Sequence, residues 1–435
     1  MTEAVLLMMH QGNSFTQEVS EILKKKGLAL LALSSRPPKP ETFEKQQEFL
    51  ADWIVVDRPQ LELDDAVGAV ATFAERGHAL SAAIATFEGY RLLMAELNRI
   101  LQARDSSGAA LRRCLDKHQL RQFLFECELS AVRCIRLHPD RVPDLDPAVT
   151  WFVKPVRGAA SFASFMLEDI DDLRDLARLQ DQMKSDHKMS AIFMNQFDFL
   201  VEEYIEGPEF SFETIVVGEA HHICVHEKAK MEIRERTTLE AMSISPPVSV
   251  DRDVLLAGAA FVSKCLARLG LDAGAFHVEA KYWTAKKRWE IIEINPRMGG
   301  SLINDSVKAV TGAAILELWL ETLLAKDDAG AETLRQRLRC ASQLETMGNG
   351  SVPKATVFLS KYGEKGRTIK SIEFSPPPRK PQILKLHVEP GTALENSDRA
   401  ICLMDALWQV DYSRMKSEVE ALDKLADQYF SVEYQ

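Results

Sequence analysis

Glu293 and Asn295 stand two residues apart in the segment WEIIEINPRMGGS, residues 289–301. Alternate residues of a strand share a face, so both project to one side while Ile292 and Ile294 project to the other. The preceding apolar run carries His277 and Glu279, also two apart and flanked by Phe276 and Val278. Paired as a hairpin, the two runs would gather Glu279, Glu293 and Asn295. Two carboxylates and an amide oxygen form a hard donor set, which suits magnesium and leaves room for phosphate oxygens. For a single Glu, an edge-strand residue facing water is the better reading. Three such donors beside Asn-Pro-Arg and a double glycine weigh against it.

Other residues extend this constellation. Arg297 can hold a carboxylate or an acyl phosphate through its guanidinium fork. Gly299 and Gly300 allow a close backbone approach, and Ser301 follows them; the plain alternative is a surface arginine in a turn. Lys154 lies near the end of an apolar run, before a loop of small residues, Gly158, Ala159, Ala160 and Ser161. Backbone N–H groups of such a loop can cradle phosphate. Lys117 lies upstream, and Lys228 follows the run 223–226, with Lys230 as its alternative. Each lysine supplies a point charge where negative charge gathers, although a lone lysine at a strand end is usually solvated. The segment EEYIEGPEF, residues 202–210, reads by itself as a strand and a turn fixed by Gly-Pro. The Glu209 carboxylate suits a diol.

These residues need a scaffold. The first hundred residues alternate strand signals (4–9, 28–33, 53–56, 82–86) with helix signals (14–26, 64–75, 88–101), which implies a parallel sheet with crossovers. A polar linker at 105–108 precedes a helix over 109–126. Strands follow at 150–156 and 199–204, then hairpins at 210–217 with 221–226 and at 275–282 with 288–294. The polar stretch 234–245 reads as a mobile loop and 250–269 as a long helix. Beyond 326 the composition changes to a charged helix at 327–339, short strands at 354–359, 369–373 and 383–388, and a final helix at 411–429. The triple proline at 376–378 excludes a central strand there.

The chain has 435 residues, enough for two to four domains. It is 46% hydrophobic and 27% charged, with a formal net charge of −11, which argues against general nucleic-acid binding. Its seven cysteines are scattered, with no CxxC pair. Their spacing suggests neither a zinc site nor a disulfide framework, and reduced thiols in the cytoplasm fit it best. The N-terminal apolar run reads as a first strand and not a signal peptide. No apolar stretch reaches the roughly 18–20 residues of a membrane helix.

With Glu279 on one strand and IIEINPR on the next, the sequence resembles the metal-binding end of the ATP-grasp superfamily, and most of all its L-amino-acid (dipeptide) ligase branch. The resemblance implies an α/β (α+β) ATP-grasp fold. Residues 1–105 would form an N-terminal parallel-sheet domain, 106–326 the ATP-grasp domain with a lid at about 145–205, and 327–435 a C-terminal α+β domain. It implies ATP and two magnesium ions, or manganese, with Glu293 bridging both ions and Glu279 and Asn295 holding one each. It places Lys117, Lys154 and Ser161 on ATP phosphates and the backbone of Glu203, Tyr204 and Ile205 against adenine. Glu202 would lie near the adenine amino group and Glu209 at the ribose. Arg297, Lys154 and Lys228 would serve catalysis, and Arg297, Gly299, Gly300, Ser301 and His277 the substrate. Two departures stand out. The phosphate loop carries Arg157 and few glycines, which gives Arg157 an alternative role in substrate recognition. Residues 239–246 contain Glu240 but no histidine.

The implied reaction activates a carboxylate as an acyl phosphate and joins it to an amine, with small molecules, amino acids among them, as partners. Lactam closure of one substrate and a non-catalytic ATP-binding regulator are the alternatives. Antibiotic or toxin biosynthesis follows from the branch alone.

Overall fold

Near-continuous apolar strands are those covered on both faces, and the N-terminal segment is built of them. A computed structural model describes residues 1–137, 143–159, 161–170, 174–186, 189–234, 236–344, 354–375, 379–396 and 401–435. β1 (Thr2–Met9), β2 (Ala29–Ser34), β3 (Asp52–Val55) and β4 (His78–Ile84) pair in parallel in the order β3-β2-β1-β4. Leu6 sits between Leu31 and Ala83 and is fully buried. The helices Thr16–Lys25 and Leu63–Glu75 lie in the crossovers and Arg91–Leu101 follows β4, as the alternation of signals predicted.

The expected helix at 109–126 is two helices, Gly108–Leu115 and Lys117–Glu126. Asp116 between them is extended, and its carboxylate accepts the Gln119 N–H at 2.9 Å. A capping Asp starts a helix and in doing so ends the one before it. The break puts Lys117 at the first position of the second helix.

β5 (Cys134–Leu137), β6 (Trp151–Pro155), β7 (Phe165–Met166) and β8 (Phe199–Glu203) form an antiparallel sheet in the order β5-β8-β6-β7. The amphipathic helix Arg174–Ser185 packs Leu176, Leu179 and Met183 into the same core as Val153, Phe199 and Val201. β5 carried too little signal to be expected.

The largest sheet among the described residues has eight strands. β9 (Glu209–Val217), β10 (Glu219–Arg234), β11 (Thr237–Ser245), β12 (Ala273–Trp283) and β13 (Arg288–Asn295) belong to it. Both expected hairpins are present and longer than expected. Of the stretch 234–245, expected to be a mobile loop, Thr237–Ser245 is instead strand β11, paired with β10, and Arg234 ends β10. Its Thr, Ser and Glu residues disguised an apolar set, Leu239, Ala241, Met242 and Ile244, all buried. Strand partners on both sides satisfy its backbone, which a loop would leave to water. The long helix Arg252–Leu269 follows and stops at Gly270, which is left-handed with φ 73°.

After residue 326 the helix Asp328–Ala341 leads to β14 (Lys354–Tyr362), β15 (Ile369–Phe374), β16 (Ile383–Leu386), β17 (Cys402–Asp411) and β18 (Phe430–Tyr434). β14, β17 and β16 continue the large sheet, whose order is β13-β12-β9-β10-β11-β14-β17-β16. β15 and β18 pair separately. β17 and β18 were not expected, and the final helix runs Met415–Tyr429. The triple proline at 376–378 lies outside the described residues. No helix among them is long and apolar enough to cross a membrane.

Candidate functional site

The site begins with the register of β12 on β13. His277 faces Asn295, and Glu279 faces Glu293. Directly opposed residues of neighbouring strands lie on one face, so three predicted oxygen donors converge. Asn295 Nδ2 donates to Glu293 Oε1 at 2.8 Å, which leaves the amide oxygen as the acceptor end.

Two of the predicted lysines meet these carboxylates, and a third lies beside the strand that carries Glu293. Lys117 Nζ lies 3.1 Å from Glu293 Oε2 and donates to Gly158 O at 3.0 Å, joining β13 to the small-residue loop. Lys228 Nζ lies 2.6 Å from Glu209, 2.8 Å from Glu279 and 3.5 Å from Glu240. Lys154 Nζ lies 2.6 Å from Glu202 and donates to Ile292 O at 3.2 Å. Lys230, the alternative to Lys228, instead pairs with Asp423 at 2.6 Å.

Burial alone would neutralise such groups, but their partners outweigh it. Burial disfavours the Lys228 ammonium, yet Glu209, Glu279 and Glu240 hold its pKa well above the ordinary lysine value. Burial would raise the Glu279 pKa, but Lys228 and His277 drive it far below the carboxylate range. Glu293 is lowered too: burial and Glu279 oppose its charge, and Lys117 overcomes them. Two ionised carboxylates and an amide oxygen on one sheet face fit a magnesium or manganese ion. Lys117 and Lys228 supply the compensating charge around them.

His277 lines the cavity on the face of Glu279. Its Nδ1 lies 2.6 Å from Glu213 and its Nε2 3.1 Å from Glu279. Both ring nitrogens are thus engaged by carboxylates, an arrangement suited to orienting a candidate metal ligand. Glu213 was not foreseen, although its alternation with Ser211 on β9 faces it toward β12.

Lys117, Lys154, Ser161, Glu202, Glu203, Tyr204, Ile205, Glu209, Lys228, His277, Glu279, Glu293, Arg297, Gly299, Gly300 and Ser301 all line one cavity of about 660 Å³, whereas Asn295, Arg157 and Lys230 do not. One wall is the hinge Glu203–Tyr204–Ile205 between β8 and β9. Here Gly207 has φ 136°, and a Cβ would fall 2.0 Å from Tyr282 O, so only glycine lets the hinge pass β12. Glu202 is held between Lys154 and the buried Arg121, the latter at 3.2 Å. Glu209 also meets Lys281 at 3.4 Å. Ser161 has a left-handed φ of 50° in the small-residue loop. Arg157 turns away, donating to Gln196 Oε1 at 2.8 Å.

The opposite wall carries Arg297. Its Nε lies 3.1 Å from Glu88 and its Nη1 donates to Met298 O at 3.0 Å. Glu88, in the turn Glu88–Tyr90 of the N-terminal segment, was not foreseen. The two glycines differ: a Cβ on Gly299 would fall 2.5 Å from Ile303 and 3.0 Å from His277 Nδ1, whereas one on Gly300 would meet open space. Ser301 Oγ donates to Asp405 on β17. Ser360, Tyr362 and Cys402 also line the cavity; no motif beyond residue 350 announced them.

The arrangement places cations, oxygen donors and an arginine around one cleft, a set of charges suited to a polyphosphate beside a carboxylate. Residues 148–305 match the family model of the ATP-grasp domain. Carnosine synthase 1 of Gallus gallus is 31% identical over 171 residues, which is 38% of this chain and 18% of that protein. The chain thus spans under a fifth of that relative's length. An L-amino acid ligase from Bacillus licheniformis superposes with a TM-score of 0.72 at 17% identity, covering 100% of both chains. Phosphoribosylglycinamide synthetase from Anaerococcus prevotii gives 0.64 at 14% identity, again over 100% of both chains. A biotin carboxylase from Campylobacter jejuni gives 0.63 at 12%, over 99% of this chain and 92% of that one. At these identities the structural likenesses establish the fold.

Proposed function

We propose that this chain, which carries an ATP-grasp domain, is an ATP-dependent ligase that forms an amide between a carboxylate and an amine. The observation that carries the reading is the convergence of Glu279 and Glu293 with Lys117, Lys228 and Arg297 around one cleft, with Asn295 beside Glu293. Glu279, Glu293 and Asn295 would hold two magnesium ions. When bound, they supply charge neutralisation along the triphosphate and at the transferring phosphoryl group.

The chain's own residues do the rest. Lys117 and Lys154 bring ammonium charges to the phosphates, with Lys117 also fastening the loop at Gly158. The hinge Glu203–Ile205 and Glu209 receive the nucleoside. Arg297, braced by Glu88, orients the substrate carboxylate toward the γ-phosphorus. Attack there gives an acyl phosphate and ADP; an amine then attacks the acyl carbon, releasing phosphate and forming the amide. The sheet β5–β8 closing over the cleft would keep water from the acyl phosphate.

Amino acids on both sides of the new bond are the favoured substrates, in keeping with the names of the L-amino acid ligase and the carnosine synthase. Domain boundaries near 105 and 326 and a reducing, cytoplasmic setting for the cysteines belong to the same reading. The test is phosphate release from ATP and magnesium against single amino acids and pairs, with mass spectrometry of the products. Release that requires two substrates, with a product at their summed mass less water, is expected. Loss of water from one substrate alone would favour lactam closure. ATP binding with no release across the panel would favour the regulator.

A further inference from the structure

β17 lies between β14 and β16 at the far end of the large sheet, away from β12 and β13. On its β14 side, Met404 pairs with Lys361 and Cys402 with Tyr362, so Leu403 is an extra residue. Such a bulge re-aims the side chains that flank it, and here it brings Cys402 to the same side as Asp405. His387 follows β16, and its backbone N–H donates to Leu403 O at 3.0 Å. Three different donor types therefore meet. His387 Nε2 lies 2.7 Å from Asp405 Oδ2, Cys402 Sγ 3.3 Å from Asp405 Oδ1, and one ligand atom from each residue falls within 4.8 Å of the other two.

We propose that His387, Cys402 and Asp405 form a binding site for a thiophilic divalent cation of the zinc type, distinct from the all-oxygen set at Glu279, Glu293 and Asn295. An imidazole, a thiolate and a carboxylate select zinc or cobalt over magnesium. Zinc bonds of about 2.0–2.3 Å put tetrahedral ligand atoms roughly 3.3–3.6 Å apart, so His387 and Asp405 would open from 2.7 Å while Cys402 already lies 3.3 Å from Asp405. Asp405 is buried and anchors the set, while the His387 side chain is 38% exposed and gives the ion a way in from solvent. Asp405 also accepts from Ser360 and from Ser301. A bound ion would share its carboxylate with the Gly299–Ser301 loop, and water completes the fourth position.

The test uses the full chain, stripped of metal, titrated with Co²⁺ in buffer saturated with Mg²⁺. The expected result is one equivalent bound, with the visible bands of four-coordinate cobalt and a thiolate-to-cobalt charge-transfer band, both displaced by Zn²⁺. Cys402→Ser should remove the charge-transfer band. His387→Ala should weaken binding more than about tenfold, a loss that even outer-sphere partners can cause. Circular dichroism checks that both variants fold; Asp405 is left intact because its burial makes a folding defect the greater hazard. Absence of the bands in the unaltered chain, or their persistence in folded Cys402→Ser, overturns the assignment.

Discussion

Lys228 Nζ lies 2.8 Å from Glu279 Oε2 and 2.6 Å from Glu209 Oε1, so a single ammonium joins the candidate metal strand to the strand that leaves the hinge. Its side chain is only 6% exposed. Lys228→Met would leave Glu240 without a cation and Glu209 and Glu279 with only Lys281 and His277 beside them. Removing one partner of a buried ionic cluster costs about 3–5 kcal/mol, and urea unfolding should register a loss of that size. Millimolar magnesium should restore part of it if the carboxylates bind the ion. A loss below about 1 kcal/mol would place Lys228 in solvent-screened surroundings instead.

Glu293 takes its counter-charge from Lys117 at 3.1 Å. Glu293→Gln preserves shape but removes the charge that a magnesium ion needs. Turnover should fall by at least about 10², and calorimetry should show weakened binding of magnesium with ATP. Unchanged magnesium dependence would remove Glu293 from the metal set.

His277 connects stability to pH. Burial opposes its charge, but Glu213 and Glu279 outweigh burial and raise its pKa to about 10. Unfolded histidine titrates near 6.5, so the folded state binds the extra proton. The resulting stabilisation is complete below about pH 6.5 and declines as pH rises toward about 10. Unfolding measured across that window should show stability falling, with a shallower slope in Glu213→Gln. A neutral His277 ring at pH 7 in nitrogen-15 NMR would refute this account.

Gly207 offers a backbone test. Alanine there would press its Cβ to 2.0 Å from Tyr282 O at φ 136°. The hinge must shift or the strand end must open. Strain of this kind costs about 1–3 kcal/mol, and Gly207→Ala should lower the unfolding midpoint and weaken ATP binding together. Gly300→Ala, with open space around its Cβ, is the control and should leave the fold intact.

The candidate metal set could be read from order alone, because strand periodicity is local. Glu279, Glu293 and Asn295 each share a face with a neighbour two residues away, and a short turn between their strands makes the pairing nearly obligatory. The parallel N-terminal sheet was legible for the same reason: buried runs and helix stops are written residue by residue. The hinge and the lysines needed the family resemblance, since a lysine at a strand end has no signature of its own.

Tertiary structure decided the rest. Residues 237–245 look polar, but as a central strand they satisfy their backbone through the adjacent β10 and through β14, far along the chain, and no local rule anticipates that second partner. Glu88 reaches Arg297 from 209 positions away, and Glu213 reaches His277 across 64. The cysteine spacing suggested no zinc-type site, yet a bulge in β17 and the end of β16 bring Cys402, Asp405 and His387 together. Chain order constrains what neighbouring residues can do, whereas pairing, burial and charge compensation depend on which distant segments the fold makes adjacent.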